Sequence, residues 1–118
     1  MRVLPTTAPD QIPTLDTAAL RARFLVPDLF RAGQVELAYT HHDRMIIGGA
    51  LPDGGELALP CPDELRAEFF CQRRELAGVN IGDETAHVTC DGTGYALGSR
   101  EVLYVGLGQA FYASGNGK

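Results

Sequence analysis

Apolar and polar residues alternate along most of this chain, a pattern typical of β-strands that bury one face. In the run QVELAYT at 34–40, Val35, Leu37 and Tyr39 fall on the same face of a predicted strand. Comparable runs occupy residues 43–51, 69–76, 77–82, 87–98, 101–108 and 110–114. About eight short strands separated by glycine-containing turns predict an all-β sandwich or barrel.

Glycines mark where the predicted strands turn or touch other backbone. Asp91-Gly92 separates two strand-like runs, and Asp-Gly favours the type I′ turn of a tight hairpin. PDGGE at 52–56 has the composition of a turn. Gly48 and Gly49, inside a predicted strand, indicate a bulge or a close backbone contact.

Two short helices are expected, one near the N-terminus and one in the middle of the chain. The first lies in TLDTAALRARFLV, residues 14–26, where Asp16 can cap the helix and Leu20 with Phe24 form an apolar stripe. Pro27 limits its extension. PDELRAEF at 62–69 is a weaker second helix.

Length and composition indicate one globular domain. A chain of 118 residues buries roughly two-thirds of its unfolded surface. Residues 1–13 contain three prolines and are expected to form an extended arm before the domain at 14–118. The net charge of -5 argues against nucleic-acid binding, and no apolar run approaches the roughly 20 residues that cross a bilayer.

The three cysteines indicate a reducing compartment. Cys61, Cys71 and Cys90 are odd in number and lack CxxC spacing, so they signal neither a disulfide framework nor a zinc knuckle. The N-terminus lacks the continuous apolar region of a signal peptide. We therefore expect a cytoplasmic protein with reduced thiols.

His41 and His42 stand side by side in YTHHDRMIIGGALP, residues 39–52. Neighbouring side chains on a strand point to opposite faces, so one histidine should face a pocket or the core and the other should face solvent. A zinc or iron site needs three or four ligands. His87 lies in AHVTC, where an ordinary strand position is expected. We predict no metal in this chain, with a three-histidine site as the alternative, and His41 as a candidate for substrate binding.

Arg44, Arg73, Arg74 and Glu75 are the other candidates for substrate binding. QRREL places Arg73 and Arg74 on opposite faces of a predicted strand, so at most one of them should face inward. An inward arginine needs a carboxylate. Asp43 or Glu75 would supply it within the protein, and a sugar-acid substrate is the alternative.

Several segments together resemble the N-terminal half of the 5-keto-4-deoxyuronate isomerases, also called 4-deoxy-L-threo-5-hexosulose-uronate ketol-isomerases. The segments are TLDTAALRARFLV, YTHHDRMIIGGALP, RRELAGVNIG, DG and LYVGLG, in that order. The resemblance runs from about Thr14 to Ser114. It implies a cupin-like jelly-roll β-sandwich that is duplicated within one polypeptide.

The resemblance also implies an activity. Members of this family convert 5-keto-4-deoxyuronate to 3-deoxy-D-glycero-2,5-hexodiulosonate in a zinc-dependent reaction of pectin and uronate breakdown, as hexamers. Their zinc ligands, three histidines and a glutamate, belong to the C-terminal cupin half, which is absent from this sequence. The resemblance therefore implies that the 118 residues hold no zinc themselves, and that the expected partners are the C-terminal cupin half, further copies of the chain and a sugar-acid substrate. On this interpretation the isolated segment is inactive.

A second hypothesis comes from a different class of function. The chain would be a metal-free, stand-alone cupin that binds a small sugar acid or serves as an assembly module. The cupin pattern supports this, since His41-His42 lacks the i,i+2 spacing of metal ligands on a strand. The length of the coding frame distinguishes the two hypotheses.

Overall fold

A computed structural model of the chain describes residues 1–109 and 111–115. Its strands are β1 (Arg2–Leu4), β2 (Gln34–Thr40), β3 (Met45–Leu51), β4 (Glu56–Ala58), β5 (Leu76–Val79), β6 (Ala86–Cys90), β7 (Thr93–Leu97), β8 (Val102–Val105) and β9 (Phe111–Gly115). Its helices are α1 (Thr17–Phe24) and the 3₁₀ turns Ile12–Thr14, Asp63–Leu65 and Phe70–Gln72. The predicted all-β class is confirmed. Of the strand predicted at 110–114, residue 110 lies outside the described residues.

The strands form three sheets. One has the order β1-β2-β3, the second β4-β9-β6-β7, and the third is the two-stranded ribbon β5-β8. All pairs are antiparallel except β1 with β2, which is parallel. The arrangement agrees with a jelly-roll-like fold in which the sheets do not close into a barrel.

The β2–β3 hairpin confirms the predicted strand but not burial of one face alone. β2 spans the same seven residues as the predicted strand, and Leu37 on one face and Ala38 and Thr40 on the other are buried. Gly48 and Gly49 on β3 make the expected close contacts. A Cβ on Gly48 would lie 2.8 Å from Leu37 Cδ2. Glycine at this position leaves room for the Leu37 side chain, which is opposite it on β2.

The β6–β7 hairpin confirms the predicted type I′ turn. Asp91 and Gly92 both have positive φ, 47° and 78°, as that turn requires at its two central positions. The turn sets the register, in which Cys90 is opposite Thr93.

Helix α1 begins as predicted and ends earlier than the predicted range. Asp16 is the N-cap, and its Oδ1 accepts a hydrogen bond of 2.8 Å from the Ala19 amide. The helix ends at Phe24, and the extended backbone of Leu25 starts the approach to Pro27.

Two other predictions need correction. The helix predicted at 62–69 is only the 3₁₀ turn Asp63–Leu65, because Arg66 adopts a left-handed φ of 48° that stops it. The strand predicted at 69–76 is wrong, since Phe70–Gln72 forms a 3₁₀ turn. Side-chain to backbone hydrogen bonds stabilise that turn, with Gln72 Oε1 accepting from the Glu68 amide at 2.8 Å.

The core is small and lies where the sheets meet. Its buried cluster comprises Leu37, Phe70, Cys71, Cys90 and Val105. The Cα radius of gyration is 15.8 Å, against about 13.5 Å for a compact domain of this length. The chain is therefore more extended than a compact domain of its length. The described helices are all too short to cross a lipid bilayer.

Candidate functional site

An open cavity of about 1090 Å³ separates the β2–β3 hairpin from the β5–β8 ribbon. Its apolar wall includes Leu37 and Ile46 from the hairpin and Leu76 and Leu103 from the ribbon. Ile46, Leu76 and Leu103 also pack against the buried core. The wall is thus an extension of the core, and its shape is fixed by the same packing.

Arg74 is the more buried arginine of the predicted pair. The residue is half-buried and lines the cavity, and its Nη1 donates to the Phe70 carbonyl oxygen at 3.0 Å. Its Cζ also lies 5.3 Å from the centroid of the Phe70 ring, as in a cation–π contact. Arg73 is more exposed and also lines the cavity, so the expectation that only one of the two side chains turns inward stays a prediction.

The predicted carboxylate partner of this arginine is not found. Within residues 1–109 and 111–115 the one ion pair joins Arg31 to Glu36 at 3.7 Å, on a different part of the surface. Arg74 therefore forms no ion pair with Asp43 or Glu75, and the predicted pairing is wrong. Hydrogen bonding to Glu75 raises the pKa of Tyr104 above its ordinary value.

The structure brings four of the five predicted site residues to one place. Arg44, Arg73, Arg74 and Glu75 all line the cavity. Arg44 reaches it from the turn between β2 and β3, where its φ is 52°. His41 is not among the lining residues.

The two neighbouring histidines lie in the β2–β3 turn and not on a strand, which corrects the predicted position. They still diverge as expected. His41 is exposed and meets the edge of Tyr39, with ring centroids 4.8 Å apart. His42 is half-buried, stacks on Phe24 at 4.8 Å and has Nδ1 3.1 Å from Thr40 Oγ1. Each ring therefore has its own neighbour, and the two do not converge on one point.

No metal-ligand set forms in the part of the chain that the structure describes. There, no three side chains of histidine, cysteine, aspartate or glutamate come close enough to hold one ion. His87 lies on β6, at the strand position expected of it, and lines the cavity. The described residues therefore do not fit zinc.

Two of the three free thiols belong to the buried core. Burial raises the pKa of the Cys71 thiol, and the neighbouring Cys90 raises it further. Burial also raises the pKa of Cys90. Both thiols therefore stay protonated and act as small apolar side chains.

Asn80 holds the rim of the cavity together and was missed by the sequence analysis. Its Nδ2 donates to the carbonyl oxygens of Glu84 and Leu97 at 2.8 and 2.9 Å, and its Oδ1 accepts from the Gly82 amide at 3.0 Å. An asparagine followed two residues later by glycine is a turn signal, and it is the only sign of this role in the sequence.

The comparisons with known proteins confirm the resemblance drawn from the sequence. No protein-family model matches the chain. It is 46% identical over 100 residues to a protein of Agrobacterium fabrum named 4-deoxy-L-threo-5-hexosulose-uronate ketol-isomerase, covering 85% of this chain and 36% of that protein. Proteins of the same name from Lachnoclostridium phytofermentans and Bacillus pumilus are 42% and 40% identical over 92% and 93% of this chain.

The match covers a section of these relatives and not their whole length. The chain spans 39% of the Lachnoclostridium protein and 40% of the Bacillus protein. It is thus similar to between a third and two fifths of a named ketol-isomerase.

Proposed function

We propose that this chain is the N-terminal domain of a ketol-isomerase that converts 5-keto-4-deoxyuronate to 3-deoxy-D-glycero-2,5-hexodiulosonate in the cytoplasm. The observation that carries the proposal is the similarity to curated relatives of that name, 37–46% identical over 85–93% of this chain. These relatives are named as ketol-isomerases. The exact reaction and its place in uronate breakdown are what we propose for this protein.

The reaction moves a carbonyl group between adjacent carbons, through an enediol-like intermediate. It needs a base that shuttles a proton and a group that stabilises the developing oxyanion. No set of described side chains could hold a metal that would stabilise this oxyanion, and we propose that the 118 residues alone are inactive.

We propose that zinc binds outside the described residues. Since no set of side chains in residues 1–109 and 111–115 fits the metal, we assign it no ligand in this part of the chain. We propose that the ligands lie in the section that the relatives have and this chain does not match. This chain would form a folded domain of the whole protein and supply contacts between the subunits of a hexamer.

Exposed apolar side chains support contacts with the rest of the polypeptide or with further copies of it. The outer face of the β5–β8 ribbon presents Val79, Val102 and Tyr104, which are 54%, 60% and 63% exposed. Large exposed apolar patches typically mark interaction surfaces. We propose that the remaining part of the polypeptide, or a further copy of it, covers them.

The test compares two proteins on the ketouronate that unsaturated uronates yield. One is the 118-residue chain, and the other is the natural protein extended to the full length of the relatives. We expect zinc-dependent turnover from the extended protein and none from the 118 residues with zinc added. Absence of turnover in the extended protein would count against the assignment. If the 118 residues alone show turnover, and His41→Ala abolishes it, the proposal that this chain is inactive by itself is wrong.

A further inference from the structure

We infer that the groove between β1 and α1 binds an extended acidic peptide segment, which adds a strand to the free edge of β1. This α1–β1 groove holds about 450 Å³ and shares no lining residue with the cavity described above. Its lining comprises the three residues of β1, then Arg21, Ala22 and Leu25 at the end of α1, and Pro27. The inference concerns this surface alone and does not depend on the isomerase proposal.

The groove runs along the edge of β1 and not over one of its faces. Successive side chains of a strand point to opposite faces, yet all of Arg2–Leu4 line the groove. The other edge of β1 is occupied by β2, in parallel register. In the part of the chain that the structure describes, the sheet ends at β1, so its outer edge has no neighbouring strand.

The backbone of Val3 supplies the hydrogen-bonding groups of this edge. The Leu4 carbonyl oxygen accepts a hydrogen bond of 3.0 Å from the His41 amide, on the side of β2. Because the N–H and C=O groups of successive strand residues point alternately to the two edges, those of Val3 point away from β2. An added strand can therefore form a pair of hydrogen bonds with Val3, which is how sheet edges bind extended peptides.

Two arginines determine the charge of the peptide. Arg2 and Arg21 both line the groove, whereas its described lining includes no aspartate or glutamate. Neither arginine forms an ion pair within residues 1–109 and 111–115. Arg2 is held in place, since its Nη2 donates to the Pro27 carbonyl oxygen at 2.6 Å. A segment with carboxylate side chains is thus complementary to the groove, and one with lysine side chains would be repelled.

Apolar side chains give the peptide its second requirement. Val3 and Leu25 are 52% and 40% exposed, and Ala22 and Pro27 complete the apolar lining around them. An extended segment with acidic residues at every second position directs all its carboxylates to one face and its apolar side chains to the other. Since β1 has three residues and is about 10 Å long, three to four residues of such a segment cover the edge.

A second copy of this chain does not fit the groove in the same way. Pairing of two β1 edges would bring Arg2 and Arg21 of both copies together, with no carboxylate from the described lining of either groove. Like charges brought together at an interface are unfavourable. A small inorganic anion would satisfy the arginines but leave the Val3 edge unpaired.

NMR titration of the 118-residue chain tests this inference, with the acetylated and amidated peptide Glu-Val-Glu-Val as the probe. We expect saturable shifts of the amide resonances of residues 2–4 and 21–25 at millimolar peptide or below. The matched peptide Lys-Val-Lys-Val should bind at least roughly tenfold more weakly. Equal affinity for the two peptides, or no saturable shifts at residues 2–4, would overturn the inference.

Two further ligands distinguish strand addition from anion binding. The acidic peptide methylated on its backbone amides keeps its carboxylates but cannot donate to the edge, so it should lose most of the affinity. Inorganic phosphate at the same concentration should not displace the parent peptide. If the methylated peptide binds as tightly as the parent peptide, or if phosphate displaces it, the groove is an anion site and the proposed strand addition is wrong.

Variants locate the site. Arg21 is exposed, and Arg21→Glu should weaken binding of the acidic peptide roughly tenfold and strengthen binding of the lysine peptide, because it reverses the charge in the groove. Arg100→Glu makes the same charge change at an exposed turn residue outside the groove lining, and both affinities should stay within about twofold of the parent. Equal losses in the two variants would show that the peptide binds elsewhere.

Discussion

Gly49 shows at the scale of one residue how closely the backbone is packed beside the β2–β3 hairpin. A Cβ there would collide with the carbonyl oxygen of Leu29 and lie 2.9 Å from Leu29 Cγ. Gly49→Ala should therefore destabilise the fold by about 1–3 kcal/mol, the cost typical of overpacking. The thermal midpoint should fall by roughly 4 °C for each kcal/mol.

Gly55→Ala is the matched control, since a Cβ at Gly55 meets nothing within 4 Å. Its midpoint should stay close to that of the parent. Equal midpoints for the Gly49 and Gly55 variants would show that the Leu29 segment can move away from the strand.

The cysteines should react at very different rates. Cys71 and Cys90 are 1% and 6% exposed, whereas Cys61 is half-buried and donates its thiol to the Ala67 carbonyl oxygen at 3.3 Å. Iodoacetamide at mildly alkaline pH should label Cys61 first and reach the other two only after unfolding in urea. Mass spectrometry of the labelled peptides measures this. Labelling of Cys90 at the rate of Cys61 would mean that the core opens.

The same burial predicts how stability depends on pH. Because the pKa of Cys71 and of Cys90 is raised above 9.0, the folded thiols keep protons that the unfolded chain releases above that pH. Unfolding then releases protons, so the free energy of unfolding should decrease as pH rises above 9.0. Urea midpoints measured from pH 7 to pH 10 test this, and Cys71→Ala should make the decrease shallower. A midpoint that rises over this range would contradict it.

At the scale of elements, Asn80 links three segments that are separate in sequence. Its side chain joins the loop at 80–84 to the end of β7, and its backbone amide donates to the Glu101 carbonyl oxygen at 3.0 Å, just before β8. Asn80→Ala should cost about 2–4 kcal/mol, since three hydrogen bonds are lost at roughly 1 kcal/mol each.

Asn80→Asp is the control, because it keeps the acceptor for Gly82 and loses the two donated bonds. The urea midpoint of Asn80→Asp should be no higher than that of the parent. Comparison with the midpoint of Asn80→Ala separates the loss of the two donated hydrogen bonds from the loss of the accepted one. If Asn80→Ala unfolds at the urea concentration of the parent, the turn does not depend on this side chain.

Elements with a local signal were predictable, and those that depend on distant contacts were not. The Asp91-Gly92 turn and the Asp16 cap follow from backbone rules that act within four residues. The segment at 69–76 has the composition of a strand, but hydrogen bonds to its own side chains turn it into a 3₁₀ turn. Strand propensity is weak enough for such local contacts to override it.

At the scale of the whole molecule, the sheets leave an open cavity and a small core. Among residues 1–109, eight buried apolar residues contrast with the many apolar side chains on the surface, such as Ile81 and Leu107 at 67% and 63% exposed. Small-angle X-ray scattering of the monomeric 118-residue chain should give a radius of gyration near 15.8 Å. A value near the roughly 13.5 Å of a compact domain would mean that the sheets close on each other in solution.

The sequence by itself determined the all-β class, the hairpin at Asp91-Gly92 and the resemblance to ketol-isomerases, because alternation, turn residues and motif order are properties of neighbouring residues. The strand argument for Arg73 and Arg74 does not apply, because these residues follow the 3₁₀ turn Phe70–Gln72. Only the tertiary structure decided that Arg74 is the more buried of the two and that His41 lies outside the cavity. These outcomes depend on which loop packs on which strand, a matter of long-range contacts that no local pattern encodes.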